Sequence, residues 1–182
     1  MIFDAEGDNS TGVIGADQLK EFGVSYVILS HSEQWSSEIL RSTEDLVNKI
    51  KYSLENGIKV ILCIGESLLE RKQNLFLDSV KEKLNDILGA LPSFYSKNII
   101  IAYEPIWAIG SSRPASVSDI VTMSIFIKKE LKDMNFRDTK IIYGGSINSS
   151  NAKEIKNIPD IDGLLVGRAS IDVNELNIIA NE

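Results

Sequence analysis

Short apolar runs alternate with longer amphipathic segments along this chain, and that alternation limits the folds it can adopt. The runs are Tyr26 to Leu29, Val60 to Ile64, Ile99 to Tyr103, Ile141 to Tyr143 and Leu164 to Val166. Apolar runs of this length without polar alternation read as strands buried on both faces, and parallel strands require a crossover helix between them. The intervening segments supply those helices. Ser42-Thr-Glu-Asp45 resembles a capping box, after which Leu46, Val47, Ile50 and Leu54 share one helical face and Gly57 sits where a left-handed cap would end the helix. Leu75, Phe76, Val80, Leu84, Ile87 and Leu88 form a second stripe stopped by Pro92. Ser116-Val-Ser-Asp119 opens a third segment, containing Ile120, Val121, Ile127 and Leu131. Asp17 to Phe22 with Gly23 gives a short first helix, and Asn174 to Ala180 a last one. Such stripes face a core. Repeated β-then-α units without a hairpin signal fit either an open doubly wound sheet or part of a (β/α)8 barrel, and the Gly-rich dinucleotide fingerprint follows none of the runs.

Composition narrows the function classes. With 182 residues and no Pro- or Gly-rich divider, the chain is expected to form one domain, residues 1–182. Its formal net charge is -7, and the basic residues are scattered among acids, so no nucleic-acid partner is expected. Cys63 is the only cysteine and lies inside an apolar run, which excludes an internal disulfide and a cysteine metal framework. The longest apolar runs fall far short of the roughly 20 residues of a membrane span, and Met1-Ile-Phe-Asp-Ala-Glu6 lacks the basic start and apolar core of a signal peptide. A cytoplasmic protein with no membrane association is expected.

The chemistry sits after the runs. Ser30-His31-Ser32-Glu33, Glu104-Pro105-Ile106-Trp107-Ala108-Ile109-Gly110, Gly144-Gly145-Ser146 and Gly167-Arg168-Ala169-Ser170 each follow one immediately. Parallel strands end on one face of a sheet or barrel, so these four segments converge in space. His31, the only histidine, would by itself more often be structural than catalytic. Glu104, at the end of a strongly apolar run, is either a solvated carboxylate or, inside a cleft mouth, a base. Glycines after the last two strands leave backbone N–H groups free to surround a phosphate, although Gly144-Gly145 alone could be only a tight turn.

Together these segments carry a resemblance. Ala102-Tyr-Glu-Pro-Ile-Trp-Ala-Ile-Gly110 resembles the catalytic strand and lid of the triosephosphate isomerases. Ile28-Leu-Ser-His-Ser-Glu33, Cys63-Ile-Gly-Glu66, Ile142-Tyr-Gly-Gly-Ser146 and Asp162-Gly-Leu-Leu-Val-Gly167 are similar to other motifs of that family, in its order. The resemblance implies an α/β fold, a partial TIM (β/α)8 barrel of parallel strands and outer helices. It also implies interconversion of dihydroxyacetone phosphate and D-glyceraldehyde 3-phosphate through an enediolate, in glycolysis and gluconeogenesis. Glu104 would be the proton-shuttling base and His31 the neutral electrophile, the pairing established for this family, with Glu33 supporting them. Pro105 to Ala115 would be the lid, whose closure over the intermediate is likewise a known property of the family. Gly110, Gly145, Ser146, Gly167 and Arg168 would hold the substrate phosphate. No cofactor and no metal are implied, since proton transfer beside a carbonyl is within reach of side chains. The Thr11-Gly12 loop would serve a homodimer.

The departures from the family pattern are specific. A barrel of this type needs about 250 residues and eight strands, so the first two β-α units, with their asparagine and lysine, are expected to be missing and the 182 residues alone to be inactive. A non-catalytic remnant or paralogue is the alternative; an aldolase-like barrel would need a lysine at a strand end, and none is present. Ser30 stands where the family usually has glycine, Gln34-Trp35 where two arginines usually follow, and Val13 where an acid follows Thr11-Gly12. Arg168 replaces the second glycine of a pair, and Pro114 stands in the lid's second hinge.

Overall fold

The computed structural model describes residues 14–36, 42–109 and 114–181. Five parallel strands pair in chain order: β1 (Tyr26–Leu29), β2 (Lys59–Ile64), β3 (Ile99–Tyr103), β4 (Lys140–Tyr143) and β5 (Gly163–Leu164). The longer helices are α3 (Thr43–Glu55), α5 (Phe76–Leu88), α6 (Val117–Asp133) and α8 (Val173–Asn181), with short α1 (Ala16–Glu21), α2 (Ser32–Ser36), α4 (Leu68–Lys72) and α7 (Ala152–Lys156). Every strand neighbour is the next strand in sequence, which is barrel connectivity, not the reversal of a doubly wound sheet.

The two faces of the sheet differ. Val60, Leu62 and Ile64 of β2, Ile99, Ile101 and Tyr103 of β3, and Ile141 and Tyr143 of β4 are buried. They belong to one apolar cluster with Leu46 and Ile50 of α3, Val80 and Leu84 of α5, and Ile120 and Ile127 of α6. The opposite face carries Ile28, Ile61 and Ile100 in one row of the register. Ile61 and Ile100 are half-buried, and Ile28, on edge strand β1, is 43 % exposed. A closed barrel would cover that row; here β1 and β5 have no outer strand neighbour among the described residues.

Most local signals form as expected. Ser42 Oγ accepts from the Asp45 N–H at 3.1 Å, Gly57 adopts φ +71, and Ser116 and Asp119 close a full capping box at the start of α6. Several boundaries move by a residue or more. β5 ends at Leu164 instead of Val166, because an edge strand has only one partner, and its last link is the Leu165 N–H to Tyr143 O at 2.8 Å. Leu75 precedes α5 as its N-terminal cap residue and is 47 % exposed, so the buried stripe begins after it. The chain leaves that helix at Gly89, before Pro92. α4, with its own Ser67–Glu70 capping box, was not legible from apolar spacing because five residues hold too few periodic positions.

Candidate active site

His31 follows β1 and Glu104 follows β3, and the register of β1, β2 and β3 brings their side chains to one end of the sheet. His31 Nε2 lies 3.5 Å from Glu104 Oε1. The backbone N–H of Glu33, in the first turn of α2, donates to His31 Nδ1 at 3.3 Å. An imidazole accepting at Nδ1 carries its proton on Nε2 when neutral, so the ring presents an N–H toward Glu104. The Glu104 carboxylate is only 5 % exposed. Burial pushes its pKa above the ordinary carboxylate value, a shift opposed by His31 and the Cys63 thiol and reinforced by the charge of Glu33. A buried carboxylate with an elevated pKa is a stronger base than a solvated one.

Two glycines make room for this carboxylate. A Cβ at Gly65 would collide with the Glu104 carbonyl, and one at Gly144 would sit 2.8 Å from Glu104 Cγ. Gly144 also donates its N–H to Tyr103 O at 2.9 Å, which locks the loop after β4 against the end of β3. Ser146 Oγ donates to Ala108 O at 2.7 Å, joining the same loop to the turn that follows Glu104. A Cβ at Gly145 would collide with the Tyr143 hydroxyl. His31, Glu104, Gly145 and Ser146 thus belong to one connected strand-end region. Gly167 and Arg168 follow β5, where Gly167 O accepts from the Ser170 N–H and hydroxyl, and Arg168 is exposed. Their contacts do not link them to His31 or Glu104. Gly110 and the Thr11-Gly12 loop with Val13 lie outside the described residues.

A cavity of about 590 Å³ opens beside Glu104, lined also by Ser30, Trp35, Cys63, Lys83 and Ile87. Of the residues expected to bind phosphate, Gly145, Ser146, Gly167 and Arg168 do not line it. Its wall combines the ends of β1, β2 and β3 with one side of α5.

A second buried group went unread in the sequence. Glu66, fully buried after β2, accepts from Trp107 Nε1 at 2.7 Å, from the Tyr103 hydroxyl at 3.2 Å and from Arg71 Nη1 at 3.4 Å. Burial drives its pKa up despite these donors. Arg71 also pairs with Asp119, the capping residue of α6, and lies 4.3 Å over the Phe76 ring. Arg71 also lies 5.6 Å over the Trp107 ring, so one guanidinium touches Glu66, Trp107 and Asp119. Only Glu66's place in a motif could have flagged it, since its three partners come from three separate elements.

The family model for triosephosphate isomerase matches residues 2–182. A triosephosphate isomerase of Alkaliphilus oremlandii is 42 % identical over 176 residues, covering 94 % of this chain and 70 % of that protein. Those of Yarrowia lipolytica and Saccharomyces cerevisiae are each 39 % identical, covering 96 % and 93 % of this chain and 71 % and 68 % of the relatives. The chain belongs to the triosephosphate isomerase family. That membership agrees with the parallel sheet in sequential order, which is a segment of the family's TIM barrel. The chain spans about 70 % of the length of these triosephosphate isomerases. No helix among the described residues is long and apolar enough to cross a membrane.

Proposed function

We propose that this chain supplies the acid-base residues of a triose-phosphate isomerase, interconverting dihydroxyacetone phosphate and D-glyceraldehyde 3-phosphate in glycolysis and gluconeogenesis. The observation that carries this reading is the 3.5 Å approach of His31 Nε2 to the buried Glu104 carboxylate. A substrate carbonyl entering between them would accept the His31 N–H, while Glu104 takes the proton from the adjacent carbon. The electron pair of that C–H bond passes into an enediolate, the hydroxyl proton moves from one enediolate oxygen to the other by way of His31, and the carbon proton returns from Glu104 to the neighbouring carbon, so the two trioses are isomers and nothing else is consumed. Glu33 acts through its N–H, which holds Nδ1 as an acceptor. Gly110, Gly145, Ser146 and Gly167 are assigned to the phosphate through their backbone groups, with Arg168 at its edge. On this reading residues 1–182 are one incomplete barrel domain of a cytoplasmic homodimer with neither nucleic acid nor membrane as partner.

The test is an isomerisation assay on the chain alone and on a fusion carrying the first two β-α units of the Alkaliphilus relative ahead of residue 1. Turnover by the fusion, lost on Glu104→Gln, is expected; a folded fusion without turnover overturns the reading and favours a non-catalytic paralogue. The chain alone is expected to be inactive and to associate through its open edges, read by light scattering, since each unpaired buried N–H or C=O costs roughly 1 to 3 kcal/mol.

Two smaller effects follow from the same geometry. Cys63→Ala removes a donor that favours the Glu104 carboxylate, so the acid limb of the kcat/KM profile should move to higher pH; an unmoved limb removes the thiol from this role. Arg168→Gly should tighten binding of a phosphate-bearing inhibitor by relaxing the turn after β5. Weaker binding in a calorimetric titration would show instead that the guanidinium contributes charge.

A further inference from the structure

We propose that Ser30, Gln34 and Trp35 are positioning residues that clamp His31 with uncharged hydrogen bonds, an inference that rests on the reading of His31 as the electrophile. Each differs from the residue usual in the family, and in the structure their bonds fall on the four residues from Ile28 to His31. Gln34 Oε1 accepts from the His31 backbone N–H at 3.2 Å, while Gln34 Nε2 donates to Ile28 O at 3.3 Å. The Gln34 N–H in turn donates to His31 O at 2.8 Å. One carboxamide therefore bridges the end of β1 and the backbone of His31. Trp35 Nε1 donates to Ser30 Oγ at 3.0 Å. Ser30 sits at φ +69, a left-handed conformation that a serine rarely adopts, and the bond from Trp35 fixes its side chain there.

An arginine at position 34 could not do this. Guanidinium groups carry donors only, whereas the His31 N–H needs an acceptor, which the Gln34 carboxamide oxygen provides. The clamp sets the backbone at Ser30 and His31, and so the direction in which the imidazole leaves the chain. Two contacts depend on that direction: the Glu33 N–H at Nδ1 and the approach of Nε2 to Glu104.

His31 is the only histidine, so a spectrum of the full chain labelled with ¹⁵N-histidine reports on this ring alone. The expected result is one neutral tautomer with the proton on Nε2. Gln34→Met and Trp35→Phe should each yield a mixture of both tautomers, with circular dichroism unchanged. In the active fusion each should lower kcat about tenfold, the size of a lost hydrogen bond, while KM stays within about twofold. Trp35 is 40 % exposed and Phe keeps its ring packing, so that variant decides the matter if Gln34→Met fails to fold. A single unchanged tautomer in Trp35→Phe, or in folded Gln34→Met, overturns the clamp. Tautomer mixing in the variants of a fusion that never turns over triose leaves the clamp standing and overturns the isomerase assignment instead.

Discussion

Glu104→Gln should lower kcat of the active fusion by on the order of 100- to 10,000-fold, the usual worth of a general base, and should raise the melting temperature of the chain at pH 7. Both effects come from one fact, that the Glu104 carboxyl is buried with its pKa above the ordinary value. The folded state then binds this proton more tightly than the unfolded state does. Below the unfolded value both states are protonated and the group is neutral with respect to stability. As pH rises from there through the folded value, stability is lost, and the full cost of burying the charge is present above that value. Glutamine keeps the shape and an acceptor oxygen for the His31 N–H but carries no charge, so it removes that cost together with the base. Melts at pH 7 and pH 4 check this: the stabilisation should be present at the first and vanish at the second. A variant less stable than its parent at pH 7 would mean that the attraction of His31 outweighs burial.

The sequence carried the meeting of His31 and Glu104 and the strand order but not the packing around them. His31 and Glu104 were legible because each ends an apolar run, and parallel strands must bring such ends together. The helices α3, α5 and α6 were legible because each spans three or more turns, enough for an apolar period to repeat. α2 and α7, five residues each, are not, and α2 matters most, since its N–H groups and side chains hold His31. The roles of Gln34 and Trp35 depend on the direction of two side chains across a turn, which no spacing encodes. Gln34 and Trp35 stood out in the sequence only as departures from two usual arginines, which says nothing of the imidazole beside them. Glu66 was hidden for a different reason. A fully buried carboxylate is tolerable only with donors, and its donors Tyr103, Trp107 and Arg71 follow from the register of β2 with β3 and the placing of α4.

Gly65→Ala is expected to be the most damaging single-methyl change in the molecule. Gly65 follows β2 and faces the backbone of β3's end, where a Cβ would run into the Glu104 carbonyl and lie 3.2 Å from the Pro105 nitrogen. Backbone atoms cannot rotate away as a side chain does, so the two strand ends must separate. Two hydrogen bonds hold them together at that level, Glu104 N–H to Ile64 O at 2.9 Å and Ile106 N–H to Glu66 O at 3.0 Å. Overpacking and the loss of these bonds together should cost about 3 kcal/mol, a large part of the roughly 5 to 15 kcal/mol that stabilises a domain. The same separation moves the base, and a displacement near 1 Å is enough to lower turnover by about 100-fold. Gly144→Ala separates the two consequences, because its Cβ would meet the Glu104 side chain at Cγ and not its backbone. The carboxylate can swing aside there, so turnover should fall while the urea midpoint changes by less than half as much as in Gly65→Ala. Equal losses of stability in the two variants would show that the strand ends yield as easily as the side chain, and that Gly65 is not what holds the base in register with β2.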